Sequence, residues 1–364
     1  MRLRIGVDGR VLDDRYHGIG RVMYALCGEL ARVDGVELVV FTGRTRSERF
    51  DIDRLAGRPN VTLHPVSLPP VDVRQLWQWR GVLRRRPVDV MFFPYHLGAT
   101  PFAGVPSLAM VHDCIFEADP RFAPSRAVRL SYRLLTALIT RTTTALTVSR
   151  ASADQIAERY RRTAHVIPNG VDLLPPPGRG LATEYGIEPG YVLHVGAQRP
   201  HKNAAVLVEA IAKVPDARLV LIGSPDPRFP DEVGPAIDRL GVADRVLRLP
   251  FVAEELLGAV YADAALLAYP SLVEGFGLPV LEAMTAGTPV VAGDVPVLRE
   301  VGGEAAIYVP PRDSTAWSEA IAELLADPAR RESLAARGTA HAARFTWAAA
   351  AERLLEACVQ AVRR

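Results

Sequence analysis

Lysine is nearly missing from this 364-residue chain. Only Lys202 and Lys213 occur, and the rest of its 43 basic residues are arginine. Any chemistry that needs a primary amine on a side chain therefore has two places to be. Cysteine is scarce as well. Cys27, Cys114 and Cys358 are odd in number and far apart, and no pair has metal-ligand spacing, so neither a disulfide framework nor a cysteine zinc site is expected. An excess of one sign of charge is also lacking. The formal net charge is +2, which removes the case for a nucleic-acid partner. No apolar run is long enough to cross a bilayer, and the opening MRLRIGVDGR has no apolar signal core or cleavage site. The expectation is a soluble protein of the reducing cytoplasm.

What is present is a repeated alternation. LRIGVD (3–8), VELVVF (36–41), VDVMFF (88–93), PSLAMV (106–111) and TALTVS (144–149) are short continuous apolar runs. Runs of that kind are expected of parallel strands covered on both faces. Helical periods fall between them, near 20–33, 72–85, 124–141 and 150–160. The alternation pauses at NGVDLLPPPGRG (169–180), whose three prolines can continue neither a helix nor a central strand. It restarts with YVLHVG (191–196), ARLVLIG (217–223), RVLRLP (245–250), ALLAYP (265–270), TPVVAG (288–293) and AAIYVP (305–310). Helices are predicted near 203–213, 253–261, 279–286 and 313–326, with an amphipathic terminal helix after 346. The chain is thus α/β, with two doubly wound, Rossmann-like domains facing an interdomain cleft. The predicted domains are 1–171, with helix 347–364 packing back on it, and 172–346. In such sheets the ligand-binding residues lie on loops that follow strands.

One loop of that kind is SLVEGFGLPVLEAM (271–284). A helix opening near Pro279, with Gly277 before it, presents the amides of Gly277, Leu278 and Val280 to an anion such as a phosphate. Glu282, placed in the first turn, can accept from a vicinal diol, and Glu274 faces the same hollow from the loop. Acids on both flanks of a phosphate cradle suit a sugar nucleotide. The alternative is ordinary: Glu282 favours the helix dipole and Glu274 is solvated. After the strand at 191–196, HVGAQRPHKN places Arg199 and Lys202 where they can offset charge on a departing diphosphate.

EGFGLPVLEAMTAGTPVVAGDVPVLREVGGEAAIYVPPRD (274–313) closely resembles the signature of the retaining glycosyltransferases of family 4, which have the GT-B fold. The resemblance implies that Glu274 hydrogen-bonds the donor sugar and Glu282 holds the ribose. Phe276, Gly277 and Leu278 would line the diphosphate, and Arg199 and Lys202 would clamp it. It further gives His112, in VHDCIF (111–116), contact with the donor sugar, and leaves Asp113 to orient the loop. Gly18 and Gly20, in the HGIGRVMY loop, would face the donor phosphates, with Arg21 beside them. Backbone at Val252 would read the base. VIPNGVD (166–172) resembles the hinge of that family, and FTW (345–347) the return of the last helix.

The reaction so implied is metal-independent transfer of a hexose, with retained anomeric configuration, from a nucleotide diphosphate sugar. No cofactor is expected. GDP-mannose is the first choice, with UDP- or dTDP-sugars as alternatives. The acceptor would be a hydroxyl of a glycan, a lipid-linked sugar or a small molecule. A nucleotide-sugar epimerase of similar architecture and a non-catalytic sugar-nucleotide binder are the competing readings. Asp51 and Asp53 form an Asp-x-Asp pair in a polar helix-like stretch and are read as surface. VRQLWQWRGVLRRR (73–86) is basic with two tryptophans. It is read as a surface helix packing Leu76, Trp79 and Leu83 on the sheet, with peripheral contact to an anionic membrane on its inner face as the alternative.

Overall fold

The computed structural model describes residues 2–12, 17–43, 47, 50–69, 71–174 and 180–363. The triple proline at 175–177 lies outside them. The chain forms two compact units: Met1–Cys114 with Ala127–Gly170 and Thr346–Arg364, and Ile115–Arg126 with Val171–Phe345.

In the first unit, strands β1 (Leu3–Asp8), β2 (Val36–Thr42), β3 (Val61–Pro65), β4 (Val90–Phe93), β5 (Ser107–Met110), β6 (Thr144–Thr147) and β7 (His165–Val166) form one sheet. Their order is β3-β2-β1-β4-β5-β6-β7, and every pair is parallel. In the second, β8 (Tyr191–Val195), β9 (Leu219–Ile222), β10 (Val246–Leu249), β11 (Ala264–Tyr269), β12 (Val290–Gly293) and β13 (Ile307–Val309) form the parallel order β10-β9-β8-β11-β12-β13. All four residues of β4 and of β9 are buried, so their apolar runs are continuous because both faces are covered. In each sheet the strand order reverses once, between β1 and β4 and between β8 and β11. Loops leaving those strands diverge there and open a crevice, the usual place for a ligand.

Two strands escape the pattern. VTLHP of β3 is an edge strand with one of its five residues fully buried, and β7 has two residues. Neither carries the apolar run that marks a central strand. Helix Val233–Leu240 buries Val233, Ala236 and Ile237 at helical spacing, but a glycine and a proline near its start read as a turn, and helix Pro328–Ala342 is rich in charge.

The stretch Ile115–Arg126 corrects the expected domain limits. Ile115 and Phe122 share a core cluster with Val273, and the Phe122 ring meets His201 edge-on at 5.8 Å. Burial of two large apolar side chains draws the segment to the second unit. The terminal helix Trp347–Arg363 packs against helix His17–Leu30 and strands β4 and β5, burying Leu354 and Cys358. A Cβ on Gly170 would stand 2.3 Å from the Trp347 nitrogen. That crossing is why the residue after Asn169 has no side chain.

Helix Gln75–Arg85 buries Trp79 and Leu83, together with Gln75, while Leu76 is half-buried. Trp79 packs edge-on between Phe41 and Phe93, with ring centroids 5.4 and 5.5 Å away. A tryptophan held there cannot lie on a bilayer. Asp51 caps helix Ile52–Ala56 by accepting from the Arg54 amide at 2.8 Å, and Asp53 lies in its first turn. Helix capping accounts for that Asp-x-Asp pair.

Candidate functional site

The exit loops of β8 and β11 flank the reversal point of the second sheet and bring Lys202 to Glu274. Lys202 Nζ donates to Glu274 Oε1 at 2.5 Å and to the Tyr269 hydroxyl at 2.8 Å. Both members of the ion pair are largely buried. Burial alone would push the Glu274 carboxyl up. The Lys202 ammonium, through its charge and its hydrogen bond, outweighs it and holds Glu274 below the ordinary carboxylate range. Tyr269 is fully buried, and its hydroxyl is pushed well above its usual range, first by burial and then by the charge of Glu274, with Glu282 adding to it. That phenol stays protonated at neutral pH and lies within the field of both acids.

Two histidines beneath this pair are neutral at pH 7. Burial pulls His194 down to about 4 and His201 to about 3. His194 Nδ1 donates to the Ala268 carbonyl at 3.1 Å, and its ring stacks on Tyr269. Of the basic groups here, Lys202 and Arg199 thus carry the positive charge.

Arg199 Nε donates to Asp226 Oδ2 at 2.8 Å, and Arg228 NH2 reaches the same oxygen at 2.6 Å. The Arg228 hydrogen bonds, opposed by burial and aided by Arg199, hold Asp226 well below the usual range. Sequence reasoning missed Asp226. It follows β9 in SPDPRFP, which carries no motif, and its partner lies 27 residues earlier.

Asn203, after Lys202, has φ +56°. Asparagine and glycine tolerate that left-handed backbone best, which gives a physical reason for asparagine at this position. Its Nδ2 donates to the carbonyls of Pro270 (3.2 Å) and Pro311 (2.6 Å). One side-chain amide therefore ties the loops after β8, β11 and β13 together.

Helix Leu278–Thr285 begins one residue before Pro279. Gly277 is at φ +99°, and a Cβ there would stand 2.8 Å from Leu298 Cδ2, so backbone and space both demand glycine. The amides of Gly277 and Leu278 make no hydrogen bond among the described residues. The Val280 amide does: it donates to the Gly277 carbonyl at 3.0 Å, so it drops out of the expected cradle. Glu282 is the fifth residue of the helix and stands in its second turn rather than its first. It is buried, and the Tyr261 hydroxyl donates to its Oε2 at 2.7 Å, an orienting contact invisible 21 residues away in sequence.

Phe276 is buried with its ring 6.1 Å from that of Phe345, so its side chain is committed to packing and only its backbone is left for a ligand. The Val252 side chain is buried too, in the turn after β10. A hollow of about 820 Å³, in the usual size range for a small-ligand site, opens beside Leu272 and Val273, with Asp119, Phe122, Arg312 and Asp313 also in its walls.

In the first unit, His112 follows β5. Its Nε2 donates to the Pro94 carbonyl at 2.7 Å, and burial pulls its pKa down to about 4. Its Nδ1 is thereby an acceptor at neutral pH. The Asp113 carbonyl accepts from the Tyr132 hydroxyl at 2.9 Å. Gly18 is exposed in the first turn of helix His17–Leu30, and a Cβ there would meet nothing within 4 Å. Gly20 is different. A Cβ there would stand 2.8 Å from the Phe50 ring and from the Val11 carbonyl, so packing demands glycine.

The family described as Glycosyltransferase Family 4 matches residues 16–173, and Glycosyl transferases group 1 matches residues 184–341. A D-inositol 3-phosphate glycosyltransferase of Actinosynnema mirum is 31% identical over 371 residues, covering 90% of this chain and 88% of that protein. The chain belongs to the group 1, family 4 glycosyltransferases. O-antigen chain mannosyltransferase B of Escherichia coli is 34% identical, covering 65% of each chain. The chain spans about half the length of other curated D-inositol 3-phosphate glycosyltransferases it matches. Sucrose-phosphate synthase from Thermosynechococcus elongatus shares the fold, with a TM-score of 0.78 at 21% identity and 99% coverage of both chains. The two parallel sheets are those of the GT-B fold.

Proposed function

We propose that the protein transfers a hexose from a nucleotide diphosphate sugar to an acceptor hydroxyl, with retention of anomeric configuration and without a metal ion. The observation that carries this reading is the buried Lys202–Glu274 pair beside two unbonded amides, Gly277 and Leu278, at the strand-order reversal of the second sheet. Lys202 and Arg199 offset the charge that grows on the departing diphosphate. The Gly277 and Leu278 amides and backbone at Phe276 hold its oxygens. Glu274 accepts from hydroxyls of the donor sugar, and Glu282, oriented by Tyr261, from those of the ribose. Backbone at Val252 meets the base. In the first unit, His112 presents an acceptor at Nδ1 that suits a sugar hydroxyl. A phosphate oxygen leaving the same face as the incoming hydroxyl can take its proton, so no protein nucleophile is required. GDP-mannose is the proposed donor, supported by the mannosyltransferase relative.

The test is a melting series with GDP, UDP and dTDP, followed by transfer from the matching sugar nucleotide in the presence of a chelator. A ligand at a hundred times its Kd stabilises the folded chain by about 2.7 kcal/mol. One diphosphate, GDP on this reading, should raise the midpoint, and the glycoside formed should keep the donor's anomeric configuration. No shift with any of the three would end the reading. Donor consumption without an acceptor would point to an epimerase or hydrolase.

Asp226 acts through Arg199. Asp226→Asn should lower kcat/KM for the donor, by up to about a hundredfold if Arg199 is displaced by an ångström. Asp226→Glu should restore much of it. Equal kinetics in wild type and Asp226→Asn would remove the positioning role.

A further inference from the structure

Helix Arg126–Thr142 is built the wrong way round for a surface helix. Its buried face holds Tyr132, Thr136, Ile139 and Thr140. Its outer face holds Leu130, Leu134 and Leu138, which are 57%, 61% and 38% exposed. The fourfold spacing lines these leucines up on one stripe. The threonines can be inside because their hydroxyls bond the preceding turn: Thr136 Oγ1 donates to the Tyr132 carbonyl at 2.8 Å and Thr140 Oγ1 to that of Thr136 at 2.7 Å. Nothing about the fold requires leucine outside. Folding would be better served by the reverse arrangement.

The surroundings share this character. Ile139 of this helix lies in one core cluster with Trp79, Leu83, Ala99 and Ala103, so helix Gln75–Arg85 and the 96–105 segment cover the same side of the first sheet. From that side project Trp77 at 65% exposure and Phe102 at 49%. Neither helix contains an acidic residue, whereas Arg80, Arg84, Arg133 and Arg141 are exposed on them.

We infer that this side of the first unit docks on an anionic lipid bilayer, with Leu130, Leu134 and Leu138 entering the interface and the arginines meeting the headgroups. The chemistry selects that occupant. A convex leucine stripe offers no pocket for a peptide, and arginine flanks without a single acid match a surface of uniform negative charge. The contact lies on a different helix from the one the tryptophan-rich sequence 73–86 singles out. That helix contributes Trp77 at the margin, because Trp79 is spent on the core. The inference is independent of the transferase reading, and neither its argument nor its test uses activity.

Sedimentation of the full chain with vesicles tests it. The protein should pellet with vesicles containing phosphatidylglycerol and remain in the supernatant with phosphatidylcholine alone, and added salt should release it. The triple variant Leu130→Gln, Leu134→Gln, Leu138→Gln should bind at least tenfold more weakly with an unchanged melting midpoint, since the replaced side chains are outside. Arg133→Gln and Arg141→Gln should each weaken binding about fivefold. A chain that stays in the supernatant with anionic vesicles at low salt overturns the inference, and so does a triple variant that pellets like wild type. Size-exclusion elution of wild type as a dimer that the triple variant dissociates, with no vesicle binding, would assign the stripe to a second copy instead.

Discussion

Lys202→Ala is expected to lower turnover by roughly a hundredfold or more, the loss typical of removing one preorganised group from charge developing in a transition state. Two effects must be separated, because Lys202 also neutralises Glu274 at 2.5 Å in a largely buried pair. Removing one partner of such a pair leaves the other charged and dry, and the fold is weakened as well. The measurement is therefore paired. Turnover at saturating donor and the melting midpoint are read for Lys202→Ala and for Lys202→Met with Glu274→Gln. Neutralising both partners should recover the midpoint, and turnover should stay low. A Lys202→Ala enzyme with wild-type turnover would remove the lysine from the mechanism.

Arg10→Ala should cost about 3–5 kcal/mol of stability, the range for breaking a buried ion pair from one side. Arg10 stands just past β1, where the strand order of the first sheet reverses. Its Nε and NH2 donate to the two oxygens of Asp8, each at 2.7 Å, and NH2 also donates to Gln75 Oε1 and the Gly98 carbonyl. NH1 donates to the Pro69 carbonyl at 3.1 Å, and the guanidinium lies 4.9 Å from the centre of the Trp79 ring. Alanine would leave a buried carboxylate, two backbone carbonyls and the Gln75 amide oxygen without this donor. Urea unfolding followed by far-ultraviolet circular dichroism reads the loss. Asp8→Leu with Arg10→Met should recover most of it, because a matched apolar pair leaves no orphan charge. An unchanged midpoint for Arg10→Ala would show that the guanidinium braces nothing.

Much of the architecture is legible in the chain because parallel strands buried on both faces leave continuous apolar runs. Val90–Phe93 and Leu219–Ile222 are examples. Where a strand is an edge, as in VTLHP, that cause is absent and so is the signal. The allegiance of Ile115–Arg126 is hidden for another reason: it depends on Phe122 and Ile115 finding Val273, a contact between parts of the chain some 150 residues apart in sequence.

The site shows the same division. Lys202, Glu274, Gly277 and Glu282 can be read singly because each sits at a fixed distance from a strand end. Partnership cannot be read this way. Asp226 for Arg199, Tyr261 for Glu282 and Phe345 for Phe276 are matters of tertiary packing. The misplaced features follow from boundaries. Starting the helix at Leu278 puts Glu282 in the second turn, and the tight first turn consumes the Val280 amide.

The Asn203 side chain holds three loops through neutral hydrogen bonds to carbonyls. Neither screening nor protonation in the working range touches such bonds, whereas both act on ion pairs. Ionic strength will accordingly weaken the hold of Lys202 and Arg199 on any anion without loosening the tie that Asn203 makes between the loops. The scaffold and the attraction are governed by different variables, so the first can stay rigid while the second is tuned by the medium.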